Sequence, residues 1–190
     1  AGSDAVGADD DDEDDVWGDI PSHAEAAHLI ETARRLRDEP NSVLGWQPDD
    51  APWRRWRAHG QVSGGRGHAT LARAWRRYYP LVTTAIWTGL RMSELRAVQR
   101  RDIDLEARTI KVRRSADKKG RINKPKSAAG RRIVPIPEPL VEILRERLAE
   151  VDADPKAYVW STSGGPLRIE QVYKAWSRLL HYAQIERPLR

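Results

Sequence analysis

The 190 residues contain no cysteine, a single methionine, and no lysine or arginine among the first 20. Without cysteine there are no disulfides, no thiolate nucleophiles and no cysteine-bound zinc or iron–sulfur centres, and a cytosolic setting is the simpler expectation. No apolar run approaches the roughly 18 to 20 residues that a membrane-spanning helix needs. No stretch reads as a basic, then apolar, secretory leader. None of the five histidines stands in an HExxH arrangement or at metal-ligand spacing, so no metal is expected. The glycine-rich run SGGRGHA at 63–69 lacks the preceding strand and the Gly-Lys-Ser/Thr ending of a phosphate loop, and reads as a turn. A chain of this length suits one ordinary domain with a tail and excludes a large multidomain enzyme.

What is present is charge, unevenly placed. The formal net charge is +5, yet nine acids (Asp4, Asp9, Asp10, Asp11, Asp12, Glu13, Asp14, Asp15 and Asp19) crowd residues 1–20. Setting those nine aside leaves 19 acids against 33 basic side chains, so residues 21–190 carry +14. The acidic stretch is too polar and self-repelling to bury a core and reads as a disordered tail. Two roles stay open for it, a solvated linker and a DNA-mimicking strip that screens the basic body. That body calls for a polyanionic partner, of which nucleic acid is the commonest. The first residue is Ala1 rather than methionine, which suggests an excerpt or a processed product.

Hydrophobic periodicity then sets out the elements. PSHAEAAHLIETARRLRDE reads as a helix with Ser22 as N-cap, Glu25 completing a capping box, and Ala26, Leu29, Ile30 and Ala33 facing inward. Residues 40–69, rich in proline and glycine, read as a loop-rich insertion with at most a short helix around PWRRWRAHG. Trp53 and Trp56 among Arg54, Arg55 and Arg57 suit either base stacking or core plugging with snorkelling arginines. HATLARAWRRYYPLVTTAIWTG reads as a helix kinked or interrupted at Pro80. MSELRAVQRRD gives a short helix with Ser93 as a plausible cap. TIKVRR (109–114) and RRIVPIP (131–137) read as paired strands, the second at an edge because of its prolines. EPLVEILRERLAEV is a helix, YVW (158–160) a short buried strand, STSGGP a turn, and LRIEQVYKAWSRLLHYAQI a last helix. Helices, a small hairpin and further helices predict an α+β domain, mostly α-helical with a minor antiparallel sheet, over residues 21–190.

The run TGLRMSELRAVQRRDIDLEARTIKVRR, from Thr88 to Arg114, resembles the first catalytic box of the tyrosine recombinase (phage integrase) family. KPKSAAGRRIVPIP at 124–137 is similar to that family's lysine-bearing hairpin and return strand, and YVWSTSGGPL resembles the segment after the next helix. Together they cover residues 70–190 in the family's order. The resemblance implies a site-specific recombinase that breaks and rejoins double-stranded DNA. A tyrosine hydroxyl attacks a phosphate, leaving a 3′-phosphotyrosyl link and a free 5′-hydroxyl. Bond energy is kept in that link, so no cofactor, ATP or metal ion is implied.

The resemblance assigns Arg91 to the nonbridging phosphate oxygens, where a planar guanidinium bonds two at once. It makes Glu94 a supporting acid that holds the site together; an acid in a helix's first turn is favourable for the helix dipole in any case. Lys126 becomes the general acid for the departing 5′-oxygen, with Lys118, Lys119 and Lys124 as neighbouring competitors. Lys124, Arg131 and Arg132 beside the hairpin, and then Arg96, Arg100 and Arg101, are the basic residues expected to meet phosphates.

None of the five histidines has an arginine three residues later, so the family's His-x-x-Arg element is not within residues 1–190. Tyr78, Tyr79, Tyr158, Tyr173 and Tyr182 sit in helix or strand contexts unlike that of the nucleophile. The expectation is therefore the first portion of a catalytic domain, which binds DNA but does not cleave it unaided. The family acts as tetramers on paired sites; this chain is expected to be a monomer, cytoplasmic and associated with the nucleoid. The competing reading is a non-catalytic DNA-binding remnant or regulator that keeps the fold.

Overall fold

A computed structural model describes residues 20–44, 65–123, 131–161, 164–186 and 189 of the chain. The acidic run 1–19, the tryptophan and arginine cluster around Trp53 and Trp56, and both Lys124 and Lys126 lie outside the described residues.

Helix α1 (His23–Asp38) starts where the sequence places it: the Ser22 hydroxyl accepts from the Glu25 N–H at 3.3 Å and Glu25 Oε2 accepts from the Ser22 N–H at 2.8 Å. This reciprocal pair satisfies two helix-start donors that would otherwise need water. Its buried line runs through Leu29, Thr32, Ala33 and Leu36, with Ala26 and Ile30 half-buried beside it. After the five-residue α2 (Pro40–Leu44) comes the longest helix, α3 (Gly65–Thr88), which packs along α1. It begins at Gly65, so most of the glycine-rich run expected as a turn is helical.

Helix α3 also passes through Pro80 without ending. Proline removes one rung of the hydrogen-bond ladder, and packing around the helix offsets that loss. Every residue from Tyr79 to Thr84 is buried, so this stretch is held on all sides rather than on one stripe. Thr83 and Thr84 turn their hydroxyls inward to donate to the carbonyls of Tyr79 (2.8 Å) and Pro80 (2.6 Å), leaving no buried hydroxyl without a partner there.

Beyond α3 lie a short helix α4 (Met92–Arg96) and a 3₁₀ turn (Arg100–Asp102), followed by a three-stranded antiparallel sheet in the order β1 (Ile103–Asp104), β2 (Thr109–Val112), β5 (Arg132–Pro135). The register pairs Ile110 with Val134 and Lys111 with Ile133. Ile110 and Val134 point into the core while Ile133 stays 63% exposed, the alternation that a sheet with one wet face requires. Pro135 lies on the edge strand, where its missing N–H breaks no ladder. Between β2 and β5 the expected polar connection contains a second antiparallel ribbon, β3 (Ser115–Ala116) with β4 (Ile122–Asn123). Asp117 closes its turn by accepting from the Arg121 N–H, and Gly120 takes the left-handed φ of 81°.

Helices α5 (Glu138–Ala149) and α6 (Ile169–Tyr182) complete the α+β architecture. Residues 158–160 make a single bridge, Tyr158 to Gln99, rather than a strand. Val159 and Trp160 are fully buried as expected. No ladder forms because the backbone finds other partners: the Val159 N–H donates to Val98, and the Val159 carbonyl accepts from Arg147 Nε at 2.9 Å. One continuous core joins Leu29, Trp75, Leu81, Leu95, Ile110, Leu144, Trp160 and Leu179 from the helices, the three-stranded sheet and the segment at 158–160.

Leu144, with no exposed surface, is a direct probe of that core. Leu144→Ala is expected to lower unfolding free energy by about 2–5 kcal/mol in denaturant titration, through lost transfer energy and a residual cavity. Ile133→Ala on the wet face is expected to change it by less than about 0.5 kcal/mol.

Candidate functional site

The site begins with how α3 stops. Gly89 adopts a φ of +60° just past the last helical residue, its N–H bonding the Ala85 carbonyl at 3.0 Å. Only a residue without Cβ takes this conformation freely. The Thr88 hydroxyl donates back to the Thr84 carbonyl at 2.5 Å, and buried Leu90 plugs the turn into the core. The chain is thereby fixed in direction as it reaches Arg91, which precedes the first turn of α4.

Ser93 does not cap α4; it lies within the helix. The cap comes from Glu94, whose Oε2 accepts from the Arg91 N–H at 3.0 Å. The same carboxylate takes two parallel bonds from Arg132 on β5, Nη1 to Oε1 at 2.7 Å and Nη2 to Oε2 at 2.8 Å. Such a fork is the strong and directional form of an ion pair. Arg91 Nη1 stands 3.6 Å from Glu94 Oε1, while 77% of the Arg91 side chain faces solvent and only 8% of Glu94 does. Burial on its own would raise the Glu94 pKa. The Arg132 hydrogen bonds, the Arg91 N–H and the two guanidinium charges outweigh it and hold the carboxyl below the usual glutamate range.

Of the residues expected to serve DNA, the structure thus brings Arg91, Glu94 and Arg132 together. Arg132, expected to meet a phosphate, forks onto Glu94 through both terminal nitrogens while 35% of its side chain stays exposed. Arg131, the next residue back, is exposed. Arg96 is corrected outright: it is 1% exposed, and its guanidinium donates to the carbonyls of Leu167 (2.6 Å), Ala116 (3.2 Å) and Asp117 (3.1 Å). A side chain enclosed in this way cannot reach a phosphate. Arg100 donates to the Leu148 carbonyl at 2.6 Å at the end of α5, whereas Arg101 is exposed.

Two further buried charges hold the surrounding fold and escaped notice in the sequence. Asp102 is buried, accepts from the Gln99 N–H at 2.8 Å, and is paired with Arg114 at the exit of β2. Arg147 is buried in α5 and holds the segment before Trp160. Nothing in a linear pattern marks an arginine as buried, since most are exposed. Among the described residues no group of three His, Asp or Glu side chains is arranged to hold a metal ion.

Glu94→Gln tests the clamp. A carboxyl whose folded pKa lies below its unfolded value stabilises the fold fully above the unfolded pKa, and this contribution fades as pH falls through the folded one. The variant is expected to be about 1–3 kcal/mol less stable at pH 7. The gap between the two proteins should narrow as pH drops below the ordinary value of 4.5. Denaturant midpoints measured from pH 7 to pH 3 give the comparison.

The phage integrase family model matches residues 69–190. Prophage phiRv2 integrases of two Mycobacterium tuberculosis strains are 35% identical over 74 residues, which is 37% of this chain and 20% of theirs. Among solved structures, XerA recombinase aligns over 92% of this chain and 45% of its own, with TM-score 0.55 and 20% identity. The Tn1549 transposon integrase bound to a circular-intermediate DNA aligns over 92% and 48%, with TM-score 0.57 and 18% identity. At these identities the structures speak to the fold alone, and the chain spans less than half the length of each of these four relatives. With the family model matched from residue 69 to residue 190, a span that holds the TGLR turn, the SEL helix and the three-stranded sheet, the chain belongs to the phage integrase family.

Proposed function

We propose that this chain is the DNA-gripping part of a site-specific tyrosine recombinase, and that Arg91 is the residue it presents to the scissile phosphate. The observation that carries the reading is the Glu94 clamp. One buried carboxylate fixes the Arg91 backbone and strand β5 together, and leaves the Arg91 guanidinium projecting into solvent. A fixed stem with an exposed planar cation suits two nonbridging oxygens of a DNA phosphate.

In this reading a tyrosine outside the five of this chain attacks phosphorus, and the bond to the 5′-oxygen breaks. Arg91 neutralises charge that develops on the nonbridging oxygens. Lys126, carried over from the family resemblance, gives its proton to the departing 5′-oxygen. Lys124 and Arg131 meet neighbouring phosphates and set the grip rather than the sequence read. The recombinase works as a tetramer on paired DNA sites in the cytoplasm, at the nucleoid, and the 190-residue chain alone is a monomer. No cofactor takes part.

The test is covalent trapping on a nicked duplex, comparing this chain with the recombinase that carries it together with its nucleophilic tyrosine. The 190 residues alone are expected to bind duplex DNA, more weakly as salt rises, and to form no adduct. In the recombinase, Arg91→Ala is expected to slow adduct formation by about 10²–10³-fold with less than tenfold loss of DNA affinity. Equal losses in binding and cleavage would make Arg91 a mere DNA contact, and an adduct formed by this chain alone would overturn the assignment of its tyrosines.

A further inference from the structure

Two guanidinium groups run from the three-stranded sheet to the two ends of α4. Arg132 on β5 forks onto Glu94 in the first turn of that helix. Arg132 is paired across the ladder with Val112 of β2, and Arg114 follows Val112 by two residues. Residues two apart along a strand line share a face, and the burial agrees: Arg114 is 11% exposed where its neighbour Arg113 is 52% exposed. From the exit of β2, Arg114 Nη1 donates at 3.4 Å to the carbonyl of Ala97, the residue that caps the far end of α4.

At that length the bond to Ala97 has little strength of its own, and what aims Arg114 at it is Asp102. The Asp102 carboxylate is 2% exposed. Its Oδ2 pairs with Arg114 and also accepts from the Gln99 N–H at 2.8 Å, closing the 3₁₀ turn. Arg113 Nε stands 3.8 Å from Oδ1, an oxygen that is buried without a hydrogen bond among the described residues. A buried carboxylate with one oxygen left unsatisfied is costly as packing, because an apolar pair of similar volume would avoid the desolvation. An apolar pair would hold neither the Ala97 carbonyl nor the turn.

The consequence is mechanical. A helix of five residues is only about 7.5 Å long, and a helix this short, fastened to the sheet at one end, can pivot about that contact. Arg96 fastens α4 to Leu167 and to the β3–β4 ribbon, neither of which lies in the sheet that carries Arg132. Arg114 supplies the tie to that sheet at the end of α4 opposite Glu94.

We propose that Asp102 is a positioning residue: it holds Arg114 against the Ala97 carbonyl, fixes both ends of α4 to the sheet, and so sets the direction in which the Glu94–Arg132 fork presents Arg91. Its catalytic consequence rests on the function proposed above, whereas its hold on α4 does not.

In the 190-residue chain the Glu94 carboxyl reports on the fork, because the charged groups that bear on it, Arg132 and Arg91, hold it below the usual glutamate range. Removing the negative charge of Asp102 acts directly to lower the Glu94 pKa further, whereas loosening the fork raises it. Asp102→Asn is expected to raise it by about 0.5 to 1 pH unit in a carboxyl NMR titration of the folded protein. An unchanged or lower value would overturn the proposal. Asp102→Asn combined with Arg114→Met leaves no buried charge unpaired and is expected to give the same rise. Failure of both proteins to fold would make the pair a support of the whole core and would also overturn it.

The catalytic consequence is read in the recombinase that carries this chain with its nucleophilic tyrosine. Asp102→Asn is expected to slow covalent adduct formation by about tenfold, with DNA affinity within about threefold of the unsubstituted protein. In an Arg91→Ala background the same substitution should slow it by no more than about twofold, because the two residues act through one group. Equal slowing in both backgrounds would contradict action through Arg91. If Arg91→Ala itself leaves cleavage intact, the error lies in the function given to Arg91, and the Glu94 titration still decides the role of Asp102.

Discussion

One carboxylate orders the site. Glu94 sits in the first turn of a five-residue helix too short to stand by itself, and its two oxygens accept three hydrogen bonds from a backbone N–H and a forked guanidinium. Arg132 lies 38 residues further along the chain, so the pair closes a long loop and locks the edge strand β5 to the turn that ends α3. A carboxylate with one partner missing would leave the other charge half-buried and unpaired, which is more damaging than having neither. The three groups therefore act as a unit, and the exposed orientation of Arg91 is a consequence of where the other two are anchored.

Beneath that clamp, arginine does much of what packing alone cannot. Arg96, Arg100 and Arg147 are drawn inward to backbone carbonyls where the chain changes direction: the ribbon, the end of α5 and the segment before Trp160. A planar guanidinium with five donors can serve several carbonyls from different elements at once, which no hydroxyl or amide matches in reach. This accounts for part of the excess of basic residues in residues 21–190. The +14 of that body overstates the charge offered to a polyanion, because Arg96 and Arg147 are buried.

How far the sequence could be read follows from the same facts. The capping box at Ser22, the pairing of 109–112 with 132–135, and the helices at 138–149 and 169–182 are local or periodic signals, and they hold. The helix is not interrupted at Pro80, because the proline's local penalty is outweighed by burial of the whole segment from Tyr79 to Thr84, which no local pattern displays. Residues 158–160 have the apolar run of a strand but gain their hydrogen bonds from Val98 and Arg147, and such partners cannot be foreseen from spacing. Arg96 was read as outward because it is basic and follows Glu94 and Leu95 in a short helix. Its three carbonyl partners come from residues 20 to 71 positions away. Arg91 and Glu94 were readable only through the TGLR and SEL motifs, since an exposed arginine and a helix-start acid are each unremarkable by themselves.

The exposure of Arg91 bears on when it becomes effective. At 77% exposure its charge acts through water, where a pair of unit charges about 4 Å apart gains only about 1 kcal/mol. The same pair at the effective dielectric of a partly covered surface gains about 4 kcal/mol. The difference is of the order that separates a weak contact from a group able to stabilise a transition state. In the proposed reading the covering has to come from the DNA and from protein segments that close over it, so that the guanidinium is desolvated only when a phosphate is already in place. The Glu94 carboxylate, buried and forked to Arg132, pairs with the Arg91 guanidinium at 3.6 Å by charge without a hydrogen bond, so the Arg91 donors stay open. Arg91 is thus held by its backbone and left electrostatically available, which is the condition a phosphate-binding residue must meet before its substrate arrives.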